Sequence, residues 1–347
     1  AGSQNNSVVQ FQVTALQDQL VEGNETASLS VTISSSGFPQ FTSPTVHPIQ
    51  IQDANNANVQ FEVDRSEVTE GDAFINLHAV LETNGATLAV PISFSIQHSN
   101  IGVAVGRFGE EANLNNADFN LPLNVLSFSQ GDIDQTVRSV SITPVSDLLV
   151  EGTESATLEL SLQAGPASVG TRARHEYIIA DSNRATVAFT STNVLLNEGV
   201  EDHTIHFTLN TGGSSLAVPV EIVIGVNENS TATRGSSLAV PVEIVIGAVE
   251  NRTAEGDFNE QEVEAINVDY TIQNQTITFP TGSDDNASQG FQVSTLIDQL
   301  IEGEEVGNIE ITRVTGPATE GTTTQFRLKI SDQNQASIAF QTPNSNV

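Results

Sequence analysis

The chain has no cysteine, methionine or tryptophan, and its only lysine is Lys329. Lack of cysteine excludes disulfide stapling and thiolate metal sites. No apolar run approaches the roughly 20 residues that a membrane-spanning helix requires, so this segment is not expected to span a membrane. No signal peptide is visible and the chain begins at Ala1, which reads as a processed product or a piece of something longer. Basic residues are scarce: 11 Lys and Arg stand against 43 Asp and Glu, for a formal charge of −32. That field repels nucleic acid and anionic lipid, which are therefore not expected as partners. The same charge opposes compaction through self-repulsion. Adaptation to a salty medium would explain it, and so would carboxylates that converge on divalent cations. Enzyme signatures are missing too. There is no G-x-S-x-G, P-loop, H-E-x-x-H or EF-hand loop, and a non-enzyme is expected.

What is present is repetition. An acidic octad of the form D-x-x-x-E-G-x-E occurs at Asp18–Glu25, Asp147–Glu154 and Asp298–Glu305, at intervals of 129 and 151 residues. A strand ending in aspartate recurs as HPIQIQD, HEYIIAD and FRLKISD, closing on Asp53, Asp181 and Asp332. A short strand with a phenylalanine follows each one, at Phe61, Phe189 and Phe340, and then Glu-Gly at 70–71 and 198–199. The second interval is longer because GSSLAVPVEIVIG stands at Gly213–Gly225 and again, 22 residues on, at Gly235–Gly247. Such a tandem duplication is expected to extend a hairpin outside the core.

Apolar residues alternate with polar ones throughout, as in SLSVTI (28–33), TLELSL (157–162) and TIHFTL (204–209), the period of half-buried strands. Each repeat holds about seven such runs between Gly, Asn, Asp and Ser turns. The expected fold is all-β: tandem seven-stranded, antiparallel, immunoglobulin-like β-sandwiches. Pro91, Pro219 and Pro241 precede equivalent strands and suggest sheet edges or bulges. The register divides the chain into the C-terminal half of a domain (1–55), a complete domain (56–183), a second carrying the duplication (184–334), and the first strand of another (335–347). The cut ends fit a window on a longer repetitive protein, or a strand donated to a neighbouring copy. His203 and His206 lie three apart on a strand and face opposite ways, which makes a poor zinc pair. His47, His175 and Phe326 share one repeat position, which points to packing.

Set in order, these features resemble the Calx-beta domain. The likeness is carried by the opening Glu-Gly and by an Asp-aromatic pair, Asp118–Phe119 and Asp269–Tyr270. A Phe and a Gly three residues apart follow (Phe128–Gly131, Phe279–Gly282), then the octad and the closing aspartate. The resemblance implies calcium held at one end of each sandwich. Carried over by position, the implied ligands are Glu70, Asp118, Asp147, Glu151, Glu154 and Asp181 in the first full repeat. In the second they are Glu198, Asp269, Asp298, Glu302, Glu305 and Asp332, and the N-terminal fragment keeps Asp18, Glu22, Glu25 and Asp53. The octads open on one aspartate where calcium-binding members tend to have two, and the closing cluster is thinned to one. Fewer anionic ligands imply fewer ions or weaker binding. Calcium accepts six to eight hard oxygens in loose geometry, and extracellular modules bind it at about 10⁻⁴–10⁻³ M. With only a few residues between a closing Asp and the next opening strand, calcium near that Asp is expected to stiffen the junction. The expectation is an extracellular or cell-surface structural or adhesive protein, forming a rod, fibre or surface layer; the alternative is a calcium-sensing regulatory module of a larger protein. Sequons at Asn5, Asn24, Asn229, Asn251, Asn274 and Asn286 fit a secreted setting.

Overall fold

The computed structural model describes residues 8–32, 45–102, 104–108, 117–226, 234–235, 269–273, 275–297 and 303–334. These residues form strands, turns and bends, with no helix among them. The terminal strand expected over 335–347, and most of the second copy of the duplication, lie outside the described residues.

The chain clusters into two compact units. One comprises residues 1–146 and 153–180; the other comprises 147–152 and everything from Asp181 on. Each contains a sandwich of a six-stranded and a five-stranded sheet. In the first unit the six-stranded sheet runs Ala167–Val169, Ala57–Phe61, Ile75–Glu82, Val137–Pro144, Phe119–Leu121, Gly106–Phe108. The five-stranded sheet runs Val125–Phe128, Ile92–Gly102, Glu154–Ala164, Arg174–Ala180, Arg65–Thr69. The second unit repeats both orders strand for strand, from Ala318–Glu320 to Arg234–Gly235 and from Thr276–Phe279 to Asn193–Asn197.

The sheets are mixed rather than purely antiparallel. The opening strand breaks after Phe61: Ala57–Phe61 pairs in parallel with Ala167–Val169, and Arg65–Thr69 crosses to pair in parallel with Arg174–Ala180. One strand therefore contributes to both sheets, and seven expected strands become eleven segments. The proline-led strand Ile92–Gly102 is interior, between Val125–Phe128 and Glu154–Ala164, so the edge expected at Pro91 is corrected. The irregularity lies on the neighbouring strand, where the register shifts between Leu162 and Ala164. At the end of that strand Gly165 takes φ +93, and a Cβ there would lie 2.7 Å from the Pro91 carbonyl oxygen, so glycine is required.

Alternation packs one face of every sheet inward. Phe61, Phe94, Phe119, Phe128 and Tyr177 fill the first core, and Phe207, Tyr270, Phe279, Phe291 and Phe326 fill the second. Fourteen or more aliphatics around each set supply the burial that stabilises such a sandwich. His175 is part of this packing. It is buried beside the Phe61 ring at 5.5 Å, with its ring nitrogens on Ser66 Oγ (2.7 Å) and the Val63 carbonyl (3.0 Å). Burial is the main cause that holds its pKa below the ordinary value, against opposing effects of the Val63 carbonyl and nearby Asp64 and Glu176. A depressed histidine contributes stability above pH 6.5 that is lost as pH falls below it. The second repeat places Phe326 and Val194 where the first has His175 and Ser66. The double substitution Ser66→Val with His175→Phe is expected to be tolerated and to remove that acid-sensitive component. His175→Phe alone should destabilise, because it strands the Ser66 hydroxyl; urea denaturation at pH 5 and 8 checks both.

Candidate metal centre

The octad has two parts with different partners. Its apolar middle forms a two-residue parallel bridge. Leu20–Val21 pairs with Thr87–Leu88, and Leu149–Val150 pairs with Ser215–Leu216. Val21 and Val150 are both fully buried, the first in one core and the second in the other. Reading the octads for their acids alone missed this role. The signal was the apolar pair at the third and fourth positions, Leu-Val, Leu-Val and Leu-Ile.

The glycine then turns the chain through left-handed backbone, at φ +79 for Gly23, +87 for Gly152 and +87 for Gly303. The closing aspartate seizes this turn. Asp53 Oδ2 accepts the amides of Glu22 (2.7 Å) and Gly23 (2.8 Å), while its Oδ1 accepts the amide of Asn55 (2.8 Å). Asp181 does the same with Glu151 (2.7 Å), Gly152 (2.9 Å) and Asn183 (2.6 Å). Asp332 accepts Gly303 (3.3 Å) and Asn334 (2.5 Å). The asparagine completes the clasp: Asn55 Nδ2 donates to the carbonyls of Asp18 and Leu20, and Asn183 Nδ2 to those of Asp147 and Leu149. The D-x-N pattern was present after every closing strand and went unread. A carboxylate that accepts several amides is held in its charged form. Burial pushes Asp53 up, yet the amides of Asn55, Glu22 and Gly23 outweigh it and hold its pKa below the ordinary 3.8. Its stabilisation is therefore present above pH 3.8 and lost as pH falls through the lower folded value. Protection factors of the Glu22 and Gly23 amides should collapse below pH 3.8, and Asp53→Asn should lower them already at neutral pH. Equal protection across that range would contradict the clasp.

Of the six acids nominated in the first full repeat, Glu70 and Asp118 are buried, and Asp147, Glu151, Glu154 and Asp181 are half-buried. Asp181 holds the octad backbone through its clasp on Glu151 and Gly152. Among the described residues the buried acids are Glu70, Asp118, Glu198 and Asp269, each 6–8 % exposed, the opening Glu and the pair Asp of both full repeats. A buried carboxylate is costly unless hydrogen bonds or a cation compensate it. Asp118 accepts the Val105 amide, and Glu198 accepts that of Gln333 at 3.4 Å. Asp298 and Glu302 lie outside the described residues, and Glu305 and Asp332 are half-buried beside that gap. In the N-terminal fragment Asp18 and Glu25 are exposed while Glu22 and Asp53 are half-buried. There the Glu22 carboxyl is raised by desolvation first, then by the charges of Glu25, Asp18 and Asp53.

An all-carboxylate donor set of this kind suits a hard cation that takes oxygen in loose geometry. No candidate metal group among the described residues includes a histidine; His206 is exposed while His203 lies on the strand face of buried Ile205. The acidic turns between strands do other work. Asp132 binds Arg138 at 2.7 Å, Asp134 accepts the Thr83 amide, and Asp285 accepts that of Thr211.

The Calx-beta domain model matches residues 3–55, 52–188 and 220–334, most of the chain. The chain belongs to the Calx-beta family. Its Calx-beta repeats are similar to solved structures of the same kind. One is the CBD12 of CALX1.2 (14 % identity, 78 % of this chain and 99 % of that one, TM-score 0.29). Another is the apo-form Calx CBD1 domain (14 %, 37 % and 98 %, 0.27). A third is the calcium binding domain CBD12 of CALX1.1 (13 %, 78 % and 99 %, 0.29). At these scores the likeness adds nothing to the family match. No curated protein matches the chain. Among the described residues no helix is long and apolar enough to cross a membrane.

Proposed function

We propose that this protein is a calcium-binding structural or adhesive element of the extracellular space or cell surface, in which calcium stiffens successive Calx-beta repeats into a rod, fibre or layer. The observation that carries the calcium reading is the burial of the opening Glu and the pair Asp in both full repeats, Glu70 with Asp118 and Glu198 with Asp269, in a chain of the Calx-beta family. Glu70, Asp118, Asp147, Glu151 and Glu154 would hold the ion. It would supply positive charge that offsets their mutual repulsion and the desolvation of the buried pair. Asp181 holds the octad backbone in place and so positions Glu151. The reading is of a binding protein, not an enzyme.

What supports stiffening over signalling is repetition. Each octad is tied by an aspartate one or two residues past a closing strand, and a short tether leaves little freedom between repeats. Copies of one repeat, within a chain or between chains, are then the expected neighbours. The competing reading is a calcium-sensing regulatory module of a larger protein. Calorimetric titration with calcium, paired with small-angle scattering of the same chain, separates the two. Weak sites near 10⁻⁴–10⁻³ M with a narrowed distribution of dimensions support the structural reading. Tight sites with a change of mean dimension favour the sensor, and no heat at millimolar calcium refutes both.

A further inference from the structure

The duplication in the second sandwich extends beyond its identical core. Thr211–Ala232 and Thr233–Ala254 abut, and 18 of their 22 positions are the same. The first copy supplies an interior strand. Val220–Val226 lies between Thr276–Phe279 and Glu304–Thr315, and Ser215–Leu216 receives the octad bridge from Leu149–Val150. Its side chains in the core are Leu216, Val220, Ile222 and Ile224, all at most 3 % exposed. The second copy carries the same letters at those places: Leu238, Val242, Ile244 and Ile246. The core contacts and ladder bonds of residues 213–225 are thus available, unchanged, to the second copy.

We propose that the two copies are interchangeable occupants of one position in the sheet, so that this sandwich exists in two registers 22 residues apart. Only the flanks distinguish them. In the observed register the connection before Ser215 is the four-residue turn 211–214, and 227–269 connects to Tyr270. In the other, 211–236 would precede the strand and 249–269 would follow it. Loop-closure entropy varies slowly with length and favours the observed register by roughly sixfold. Local chemistry adds to that preference. Gly212 sits at φ +64, where the second copy has Arg234, and Val226 packs on the core, where the second copy has Ala248. The Arg234–Gly235 bridge to Tyr270–Thr271 would also be released. The observed register is therefore the major one and the other a minor state. Exchange carries the 22-residue insertion from the connection after the strand to the connection before it, while leaving the core and the octad bridge intact.

Engineered cysteines read this out cleanly, because the native chain has none. Val223 stands opposite Thr276 in the observed register, and Val245 takes its place in the other. On mild oxidation of the full chain, Val223→Cys with Thr276→Cys is expected to close rapidly. Val245→Cys with Thr276→Cys should close more slowly but completely, as the minor register is drawn off. Glu243→Cys with Thr276→Cys, out of register by two residues, should stay open. Deleting 211–232 should leave a chain with one copy and nearly the same melting temperature. Failure of the Val245 pair to close, equal closure of the Glu243 pair, closure only as a covalent dimer, or loss of cooperative folding on the deletion would each overturn the proposal.

Discussion

Replacing Glu151 with glutamine is expected to abolish most of the calcium-dependent rise in melting temperature of the first full repeat. At a calcium concentration a hundredfold above the dissociation constant, a single site adds about 2.7 kcal/mol to the folded state. For a sandwich of this size that is a rise of roughly 5–10 °C. Glu151 is the residue to change because it is the middle acid of its octad and its backbone amide is held by Asp181 at 2.7 Å, which fixes the stretch that carries its carboxylate. The sign in chelator distinguishes a ligand from a merely structural residue. Removing one negative charge from five lessens their repulsion, so Glu151→Gln in excess chelator should melt no lower than the native chain. Glu159→Gln is the control. Glu159 makes only a surface contact of 3.4 Å with Arg174, and such pairs contribute little. An unchanged calcium response in Glu151→Gln, measured by calorimetry with and without chelator, would refute the site.

Asp181→Ala should have an effect of similar size and opposite logic. Asp181 accepts the amides of Glu151, Gly152 and Asn183, and hydrogen bonds to a charged acceptor are worth more than neutral ones. Removing all three should cost roughly 2–4 kcal/mol, in chelator as well as in calcium. Asparagine retains one acceptor oxygen but turns a donor toward amides that need an acceptor, so Asp181→Asn should recover only part of the loss. If instead Asp181→Ala leaves stability in chelator untouched and lowers only calcium affinity, Asp181 is a direct ligand and the clasp is secondary. Equilibrium denaturation in the two buffers decides.

Much of the fold was legible because it rests on short-range rules. Alternation of apolar and polar residues announced strands such as Glu154–Ala164 and His203–Asn210, and both pack as the period requires. Landmark spacing aligned Asp118 with Asp269 and Glu70 with Glu198, and all four are buried. The mixed sheets were not legible. Parallel pairing of Arg65–Thr69 with Arg174–Ala180 joins segments more than a hundred residues apart, and nothing in either segment encodes its partner's direction. The interior place of the Pro91-led strand was hidden for a related reason. Proline lacks an amide donor, which argues for an edge, but here it precedes the first paired residue and costs the ladder nothing.

By itself, the sequence determined strand content, repeat length, the duplication and the identity of the acids, because each is written in local period or in spacing. Only the tertiary structure decided which of those acids are buried and which backbone amides they hold. Asp53 meets the amide of Glu22 although they stand 31 positions apart in the chain, and distance in space is set by packing, not by order. Tertiary structure also divided the nominated residues by place. It buried Glu70 and Asp118 and committed Asp181 to backbone amides. It buried Val150 in a core and left Asp147 and Glu151 on either side of it half-buried. A carboxylate in a turn has several possible partners of similar strength; which one it takes depends on the groups that folding brings within about 3 Å.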